Sequence, residues 1–342
     1  MTQHKLSLLG FGNVGRALAR LLLEKADDIE AQYDITYFVT GIATGRSGMA
    51  VNPDGIDLNE ALARYDARES LDTLSTRPVT TPFDVMKHSG ANIMFENTPV
   101  SYHDGQPAID YIRYALTNGM SVSTANKGPI VHAYHELTAL AKEHGTQFLF
   151  ESTVMDGAPI FSLYRETLPA ARLRGFRGVL NSTTNLILSR METGESFEEA
   201  VKYAQAIGIA ETDPSGDVDG WDAAIKVSAL ATVLMDVPTK PQNVDRTGIG
   251  GITQEKIAKA KAQGKRWKLV CSATRTTDGL VTKVAPEMVD PTSPMYGIEG
   301  TTSIVQFESD VLGLLSVLEE DPGPHTTAYG LLADFLNMVR RA

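Results

Sequence analysis

The 342-residue sequence contains one cysteine, no basic run of five or more residues and no long uninterrupted apolar stretch. Because Cys271 has no second cysteine to pair with, an internal disulfide is excluded and a reduced compartment is indicated. Glycines together with Arg16 and Arg20 interrupt the apolar residues near the N-terminus, which is not typical of a signal peptide or a membrane span. We therefore expect a cytoplasmic protein.

The charge balance of the chain is acidic. Lys and Arg number 31 against 42 Asp and Glu, and the formal net charge is -11. Neither a nucleic acid nor an anionic membrane suits such a chain as its main partner, because both repel negative charge. With 42% hydrophobic and 21% charged residues, the composition is that of a globular protein, so a small molecule is the expected ligand.

Strands and helices alternate through the first half of the sequence. Short apolar runs that are typical of strands are followed by residues with helical spacing. The predicted strands are 5–9, 35–43, 92–98, 120–125 and 146–153, and the predicted helices include 16–26, 105–118 and 133–144. This alternation predicts an α/β fold, in which helices cover both faces of a doubly wound parallel sheet.

After about residue 150 the pattern changes to short strands mixed with helices, which is typical of an α+β domain. Helices are predicted at 156–168, 184–192, 196–206, 220–236 and 253–263. Two last helices, at 309–319 and 328–340, are predicted to return to the first domain. We therefore expect residues 1–133 with 308–342 to form one domain and residues 134–307 to form another.

A glycine-rich turn follows the first predicted strand. Gly10, Gly12 and Gly15 match the pattern G-x-G-x-x-G between a strand and a helix. In such a turn the first glycine bends the chain, the second lets the backbone approach a pyrophosphate, and the third lets the helix pack closely. By itself the pattern is only a glycine-rich turn, but between a strand and a helix it predicts a Rossmann-type dinucleotide-binding domain.

The end of the second strand bears on the choice of cofactor. An NAD site usually has an acid there, which binds the ribose 2'-hydroxyl. In this sequence the segment 42–47 has no carboxylate and contains Arg46, whose guanidinium suits a 2'-phosphate. NADP is therefore favoured. In the alternative, Arg46 is an ordinary surface charge and NAD is the cofactor.

Polar residues follow two strands that are expected to end at the same edge of the sheet. Thr98 and Pro99 follow one predicted strand, and Lys127 follows the next. Ligands of parallel α/β sheets lie at the carboxyl ends of the strands, so these residues are candidates to line a nicotinamide pocket. In the alternative, Pro99 only forms a turn and Lys127 is a surface charge.

Five acids occur between residues 211 and 222, and Lys226 follows them. A calcium-binding EF-hand loop is excluded, because Ser215 and Lys226 would stand at its first and last ligand positions. Asp217 or Asp219 is instead predicted to cap the helix that begins near residue 220.

Asp222 and Lys226 are four residues apart on that helix and therefore share one face. The apolar residues that follow indicate that the helix is largely buried. A buried amine beside a carboxylate is a usual arrangement for a proton donor. Spacing alone does not exclude an ordinary helix salt bridge, which would contribute about 0.3 to 0.5 kcal/mol.

The segment AQAIGIAETDPSGDVDGWDAAIK (204–226) resembles the signature of the homoserine dehydrogenase family. Other motifs occur in the order found in that family, namely GFGNVG, NTP, TANKGP, ESTV, GVLNSTTNLIL, TGIGGI and TAYGLLAD. The resemblance covers nearly the whole chain. It implies reversible NAD(P)H-dependent reduction of L-aspartate 4-semialdehyde to L-homoserine, in the biosynthesis of threonine, methionine and isoleucine.

The resemblance also assigns roles to individual residues. Lys226 matches the proton donor to the aldehyde oxygen, and Lys127 matches a second active-site lysine. Asp222 and Glu211 match the carboxylates that hold the substrate ammonium. The positions that match the rest of the substrate pocket are Asn181 and Thr183, and those that match cofactor contacts are Asn13, Val14, Thr98, Lys127 and Gly208.

The family carries a structural sodium ion, and the resemblance implies a homodimer that pairs through the second, catalytic domain. The positions that match the sodium ligands, largely through backbone carbonyls, are Glu151, Val154, Asp156 and Ala158. Because the chain ends without the regulatory ACT domain of many members, we expect no threonine feedback through such a domain.

Two departures from the family pattern leave other functions open. Met155 and Asp156 occupy a loop that usually has small residues, and Ser182 stands where glycine is common. One alternative is a related NADP-dependent dehydrogenase that acts on another amino-acid aldehyde or 3-hydroxy amino acid. The other is an inactive NADP-binding sensor or assembly partner, against which the presence of Lys127, Asp222 and Lys226 argues.

Overall fold

The computed structural model describes residues 2–340 of the chain. These residues form two compact units. The first unit comprises the residues up to Pro159 together with those from Gly323 onward, and the second unit comprises Ile160–Pro322. Both divisions fall later in the chain than predicted, since residues 134–159 belong to the first unit and residues 308–322 to the second.

The first unit is a six-stranded sheet with helices around it. Its strands are β1 (Thr2–Leu9), β2 (Ile35–Ala43), β3 (Met49–Val51), β4 (Ile93–Glu96), β5 (Ser121–Thr124) and β6 (Phe148–Leu149). Its helices before the second unit are α1 (Asn13–Tyr33), α2 (Leu58–Asp66), α3 (Pro82–Ser89), α4 (Ala108–Thr117) and α5 (Lys127–Glu143). The alternation of strands and helices predicted from the sequence is confirmed.

The strand order of this sheet is β3-β2-β1-β4-β5-β6. All pairs are parallel except β2 with β3. The chain leaves β1 toward β2 on one side and returns to β4 on the other, so the order reverses between β1 and β4. In sheets of this kind ligands bind at that reversal, beyond the carboxyl ends of the strands.

The second unit also contains a six-stranded sheet. Its strands are β7 (Leu173–Val179), β8 (Asp245–Arg246), β9 (Arg266–Thr276), β10 (Gly279–Val289), β11 (Ser303–Ser309) and β12 (Gly313–Glu319), in the order β12-β11-β7-β9-β10-β8. Its helices are α6 (Ser182–Glu192), α7 (Phe197–Ala206), α8 (Ser215–Val218), α9 (Trp221–Leu234) and α10 (Gln254–Ala262).

The helix predicted at 309–319 is wrong. Residues Gly313–Glu319 form β12, which pairs antiparallel with β11 across a short turn. The helix predicted at 328–340 does belong to the first unit, as α11 (Pro324–Val339).

The core of the first unit lies between the sheet and the helices α1 and α11. Phe335 of α11 is fully buried, and its ring makes edge contacts with Phe95 of β4 and Tyr37 of β2. Burial of such large apolar side chains fixes the strands that carry the glycine turn and the polar edge. Within residues 2–340, no helix has both the length and the apolar character needed to cross a bilayer.

Candidate active site

The glycine turn lies where the sheet order reverses. Gly10 has φ of +92°, and a Cβ on it would lie 2.3 Å from the carbonyl oxygen of Asn97, which follows β4. A Cβ on Gly15 would lie 2.2 Å from the carbonyl oxygen of Gly10, whereas one on Gly12 would meet nothing within 4 Å. Only glycine therefore suits the first and third positions, and the second leaves the backbone open to a ligand.

The start of α1 is suited to a phosphate. Its N-cap residue, Gly12, makes no side-chain cap, so side chains do not occupy the N-H groups of the first turn. Asn13 and Val14 begin the helix, and the Asn13 side chain accepts a hydrogen bond from Arg16 Nη2 at 3.0 Å. Free N-H groups and the helix dipole both favour a pyrophosphate here. These residues fit the predicted dinucleotide.

Arg46 is exposed on a tightly bonded loop after β2. The backbone N-H of Ser47 donates to Thr44 Oγ1 at 2.7 Å, and Thr44 Oγ1 donates to the carbonyl of Gly48 at 2.9 Å. The loop is thus held by its own hydrogen bonds, and the guanidinium of Arg46 projects from it into solvent. Its role toward a 2'-phosphate stays a prediction.

The predicted polar edge forms at the carboxyl ends of β4 and β5. Thr98 N and Thr124 Oγ1 donate to the carboxylate of Glu96 at 2.8 and 2.7 Å. Asn126 caps α5 by accepting from the backbone N-H of Gly128 at 3.0 Å. Lys127, half-buried, is the first residue of that helix. The structure therefore places Thr98 and Lys127 at one edge of the sheet, as the sequence predicts.

The acidic segment of the second unit forms a polar cluster around Asn181. The Asn181 side chain donates to Asp217 Oδ1 at 2.6 Å and to Asp222 Oδ2 at 3.0 Å. Lys226 Nζ lies 3.3 Å from Asp222 Oδ2 and donates to the carbonyl of Leu180 at 2.6 Å. The side chains of Asp222 and Lys226 are only 14% and 15% exposed, so this is not a solvated surface pair.

The position of Asn181 explains why its side chain points at the carboxylates. It is the N-cap of α6, and its side-chain oxygen accepts from the backbone N-H of Thr184 at 2.8 Å. The oxygen is thus committed to the helix, which leaves the NH₂ group to donate to Asp217 and Asp222. Both amide atoms have defined partners, so the orientation of the side chain is fixed.

Asp217 belongs to this cluster, a position that the sequence did not predict. Burial raises the pKa of its carboxyl, and the neighbouring charge of Asp222 raises it further. Hydrogen bonds from Asn181 and Thr183 act in the opposite direction. The sequence suggested Asp217 or Asp219 as the cap of α9, which is wrong, because the N-cap is Gly220 in a left-handed conformation.

Glu211 and Gly208 lie in the turn after α7, and both are exposed. The carbonyl of Glu211 accepts from Gln205 Nε2 at 3.1 Å, whereas Gly208 has φ of +76°. The structure does not place the Glu211 carboxylate in the cluster around Asn181. Its predicted contact with the substrate ammonium, and that of Gly208 with the cofactor, stay predictions.

The hydroxyl of Ser182 is the first departure from the family pattern. Ser182 Oγ lies 3.2 Å from Ser303 Oγ of β11, which is hydrogen-bond distance. The extra hydroxyl is therefore satisfied within the second unit. A glycine at position 182 could not form this contact with Ser303.

The loop at the predicted sodium ligands packs against α11. Glu151 is buried, and its backbone N-H donates to Asp334 Oδ2 at 3.0 Å. Asp156 Oδ2 accepts from Thr326 Oγ1 at 2.9 Å, and a Cβ on Gly330 would lie 3.1 Å from the Asp156 carbonyl oxygen. The Asp156 carboxylate is therefore bonded to α11, and the Asp156 carbonyl oxygen lies close to that helix.

The sodium ligands predicted in this loop are largely backbone carbonyls. Val154 is buried. Near the end of the loop, the backbone N-H of Ala158 donates to the Met155 carbonyl at 2.8 Å. Among residues 2–340, no group of three or more His, Cys, Asp or Glu side chains could hold a metal. A sodium site here would therefore be built from backbone carbonyls, and it stays a prediction.

Comparison with known proteins settles the family. A family model for homoserine dehydrogenase matches residues 159–336, and a model for the homoserine dehydrogenase NAD-binding domain matches residues 10–151. The chain belongs to the homoserine dehydrogenase family. The resemblance read from the motifs is confirmed, and with it the assignment to the NAD(P)-dependent oxidoreductases that act on a CH-OH group.

Relatives in this family match the chain over its whole length. An NAD(+)-dependent homoserine dehydrogenase from Pseudomonas canavaninivorans is 36% identical over 352 aligned residues, which cover 100% of this chain and 98% of the relative. A homoserine dehydrogenase from Methanocaldococcus jannaschii is 35% identical over 336 residues, with 97% of each chain covered.

Solved structures of homoserine dehydrogenases have the same fold. A hyperthermophilic archaeal enzyme in complex with NADPH superposes with a TM-score of 0.84 at 29% identity, over 100% of this chain and 99% of that one. The enzyme from Thermoplasma acidophilum also gives a TM-score of 0.84, at 25% identity, over 98% and 99% of the two chains.

Proposed function

We propose that this homoserine dehydrogenase catalyses the reversible, NAD(P)H-dependent interconversion of L-aspartate 4-semialdehyde and L-homoserine, in the cytoplasm. The observation that carries the proposal is the position of Lys226. Its ammonium is nearly buried and held by the Leu180 carbonyl and the Asp222 carboxylate, and Asp217 belongs to the same cluster. A cation held in this way can meet negative charge that develops on a substrate oxygen.

The residues of the cluster have separate proposed roles in the reaction. A nicotinamide cofactor bound at the glycine turn and the polar edge of the sheet would supply hydride for reduction of the substrate aldehyde. Lys226 stabilises the developing negative charge on the aldehyde oxygen and donates the proton that completes the alcohol. Asp222 and the Leu180 carbonyl hold the ammonium of Lys226 in one orientation. In the reverse direction Lys226 takes the proton back from the alcohol.

The substrate also carries an ammonium group, which needs carboxylate partners. Asp222 and Glu211 are the proposed carboxylate partners, and Asn181 and Thr183 are proposed to contact the substrate as well. The geometry supports adding Asp217, because Asn181 holds it beside Asp222. A second carboxylate near the first is suited to an ammonium ligand, since the ligand's charge relieves the repulsion between the acids.

The decisive experiment measures oxidation of NADPH by the purified protein in the presence of L-aspartate 4-semialdehyde. We expect turnover, and we expect the reverse reaction with L-homoserine. If NADPH binds and neither substrate reacts, the proposal fails. A panel of other amino-acid aldehydes and 3-hydroxy amino acids would then test the related dehydrogenase, and the absence of turnover with all of them would support the sensor.

NADP is the proposed cofactor, because Arg46 replaces the usual acid and is exposed at the end of β2. A charged hydrogen bond to phosphate contributes about 1.5 to 3 kcal/mol. We therefore expect Arg46→Ala to raise KM for NADPH about tenfold or more and to leave KM for NADH unchanged. The relative from P. canavaninivorans is NAD(+)-dependent, so the comparison must use both cofactors. An unchanged KM for NADPH would remove Arg46 from the site.

A homodimer is proposed from the apolar surface of the second unit. Leu314 and Leu318 lie on the same face of β12 and are 65% and 48% exposed, and Val311 and Leu312 in the adjoining turn are also exposed. Contiguous exposed apolar residues on a sheet are typical of an interface between subunits.

We expect light scattering with size-exclusion chromatography to give twice the mass of one chain. Leu314→Lys with Leu318→Lys is expected to produce the monomer, because two charges on this face would have to be buried. Leu23→Lys, at an exposed leucine of α1, is the matched control and is expected to remain dimeric. A wild-type monomer would contradict the proposal.

A sodium ion is also proposed, at the positions Glu151, Val154, Asp156 and Ala158. The proposed reaction does not require this ion.

A further inference from the structure

Glu96 is a buried carboxyl group with no part in the proposed reduction of the aldehyde. It ends β4 and is 0% exposed. Its hydrogen-bond partners are neutral groups, namely Thr98 N, Thr98 Oγ1 and Thr124 Oγ1. Burial raises the pKa of Glu96, and these hydrogen bonds only partly oppose that rise. A buried acid whose hydrogen-bond partners are all neutral is costly to a fold, so a role for Glu96 beyond packing is worth testing.

The hydrogen bonds of Glu96 join the two strand ends of the candidate cofactor site. One oxygen accepts from both the backbone and the hydroxyl of Thr98, which follows β4. The other oxygen accepts from Thr124 at the end of β5 at 2.7 Å. A single side chain therefore fixes how the segment after β4 lies against β5.

The same network reaches the start of α5. Thr124 Oγ1 accepts from the backbone N-H of Asn126 at 2.9 Å. Asn126 Nδ2 donates to the Thr98 carbonyl at 3.2 Å, while Asn126 Oδ1 caps the helix at Gly128. Lys127 is the first residue of that helix. The positions of Thr98 and Lys127 thus depend on one set of hydrogen bonds.

We propose that Glu96 is a positioning residue, which holds Thr98 and, through Thr124 and Asn126, the start of α5 in the arrangement needed to bind the nicotinamide cofactor. The proposal rests on the proposed function for the roles of Thr98 and Lys127. Glu96 itself lies behind these residues and touches no reacting atom. It acts by removing their freedom to move, and small displacements of positioning groups are known to lower rates by large factors.

Two substitutions at Glu96 test this idea. In Glu96→Gln, one oxygen still accepts from both donors of Thr98, and the NH₂ group donates to the Thr124 hydroxyl. In Glu96→Leu, both connections are lost, although leucine has a side chain of similar size to that of glutamate. We expect the dissociation constant for NADPH, measured by its fluorescence, to rise less than about threefold in the first and about tenfold or more in the second. A parallel fall in kcat is expected for Glu96→Leu.

A purely structural role for Glu96 predicts a different result. The melting temperature would fall, while NADPH affinity and kcat of the folded protein, measured well below that temperature, would stay at wild-type values. Asp84→Asn is the matched control. Asp84 also accepts hydrogen bonds from two threonines, Thr80 and Thr81, but at the exposed start of α3. We expect this variant to change the melting temperature only.

Thr124 keeps the test decisive if Glu96→Leu does not fold. Thr124→Val removes the hydroxyl and keeps the shape of the side chain. Thr124→Ser keeps the hydroxyl and removes only the methyl group. We expect weaker NADPH binding in the valine variant and recovery in the serine variant. Glu96→Gln keeps the connection to Thr124, so we expect it to bind NADPH more tightly than Thr124→Val does. If Thr124→Val binds NADPH as tightly as the wild type, the proposal is overturned.

Failure of this proposal can be told apart from failure of the proposed function. If the wild type lacks turnover with L-aspartate 4-semialdehyde, the substrate is wrong, and NADPH binding still tests Glu96. If the wild type turns over and the Glu96 and Thr124 variants bind NADPH normally, the substrate is right and Glu96 only stabilises the fold.

Discussion

Lys226→Met is expected to lower kcat about a thousandfold while leaving NADPH binding unchanged. General acid catalysis contributes about 10² to 10⁴ in rate, and Met keeps the length of the side chain without a proton to donate. Lys226 donates to the Leu180 carbonyl and lies beside Asp222, so its loss also leaves that carboxylate without its cation. Steady-state rates in both directions, with NADPH binding measured separately, test the prediction.

Lys226→Arg separates charge from proton donation. A guanidinium keeps the positive charge beside Asp222 but hardly releases a proton at neutral pH. We expect most of kcat to be lost in this variant too. Lys202→Met, at an exposed position of α7, is the control and is expected to behave as the wild type. Near-normal turnover of both Lys226 variants would move the proton donor to Lys127.

The fold of the first unit could be predicted because its signals are local. The glycine turn and the alternation of apolar runs depend on neighbouring residues, and both lead to a parallel sheet with the turn at the reversal of strand order. The error at β12 has a physical cause. Val311, Leu314, Leu315 and Leu318 have helical spacing, but pairing with β11 and the left-handed Gly313 impose a hairpin instead.

In the candidate site too, only contacts between residues close in sequence could be predicted. Asp222 and Lys226 could be paired from the sequence because they are one helical turn apart. Asp217 could not, because its partner Asn181 lies 36 residues earlier in the chain, and only the packing of α6 against the segment 215–222 brings them together. From the sequence, Asp217 or Asp219 is therefore predicted as a helix cap, which is the local role that an acid before a helix usually has.

Asp217→Asn is expected to raise KM for L-homoserine about 10- to 100-fold at neutral pH. A carboxylate that binds an ammonium contributes about 1.5 to 3 kcal/mol, and the amide that replaces it carries no charge. NADPH binding should not change, because the residue belongs to the cluster around Asn181 and not to the glycine turn. Asp219→Asn, two residues away and exposed, is the control and is expected to keep the wild-type KM.

The pH dependence of KM gives the sharper test of Asp217. Burial and the charge of Asp222 raise the pKa of Asp217, so its carboxyl takes up a proton at a higher pH than an ordinary aspartate. The protonated form is neutral and binds ammonium poorly. As pH falls through this raised pKa, KM of the wild type should therefore rise, and it should do so above the usual range for aspartate. In Asp217→Asn the KM should already be high and should lack this step. If the variant keeps both the wild-type KM and its pH profile, Asp217 does not bind the substrate, and Asp222 carries the ammonium without it.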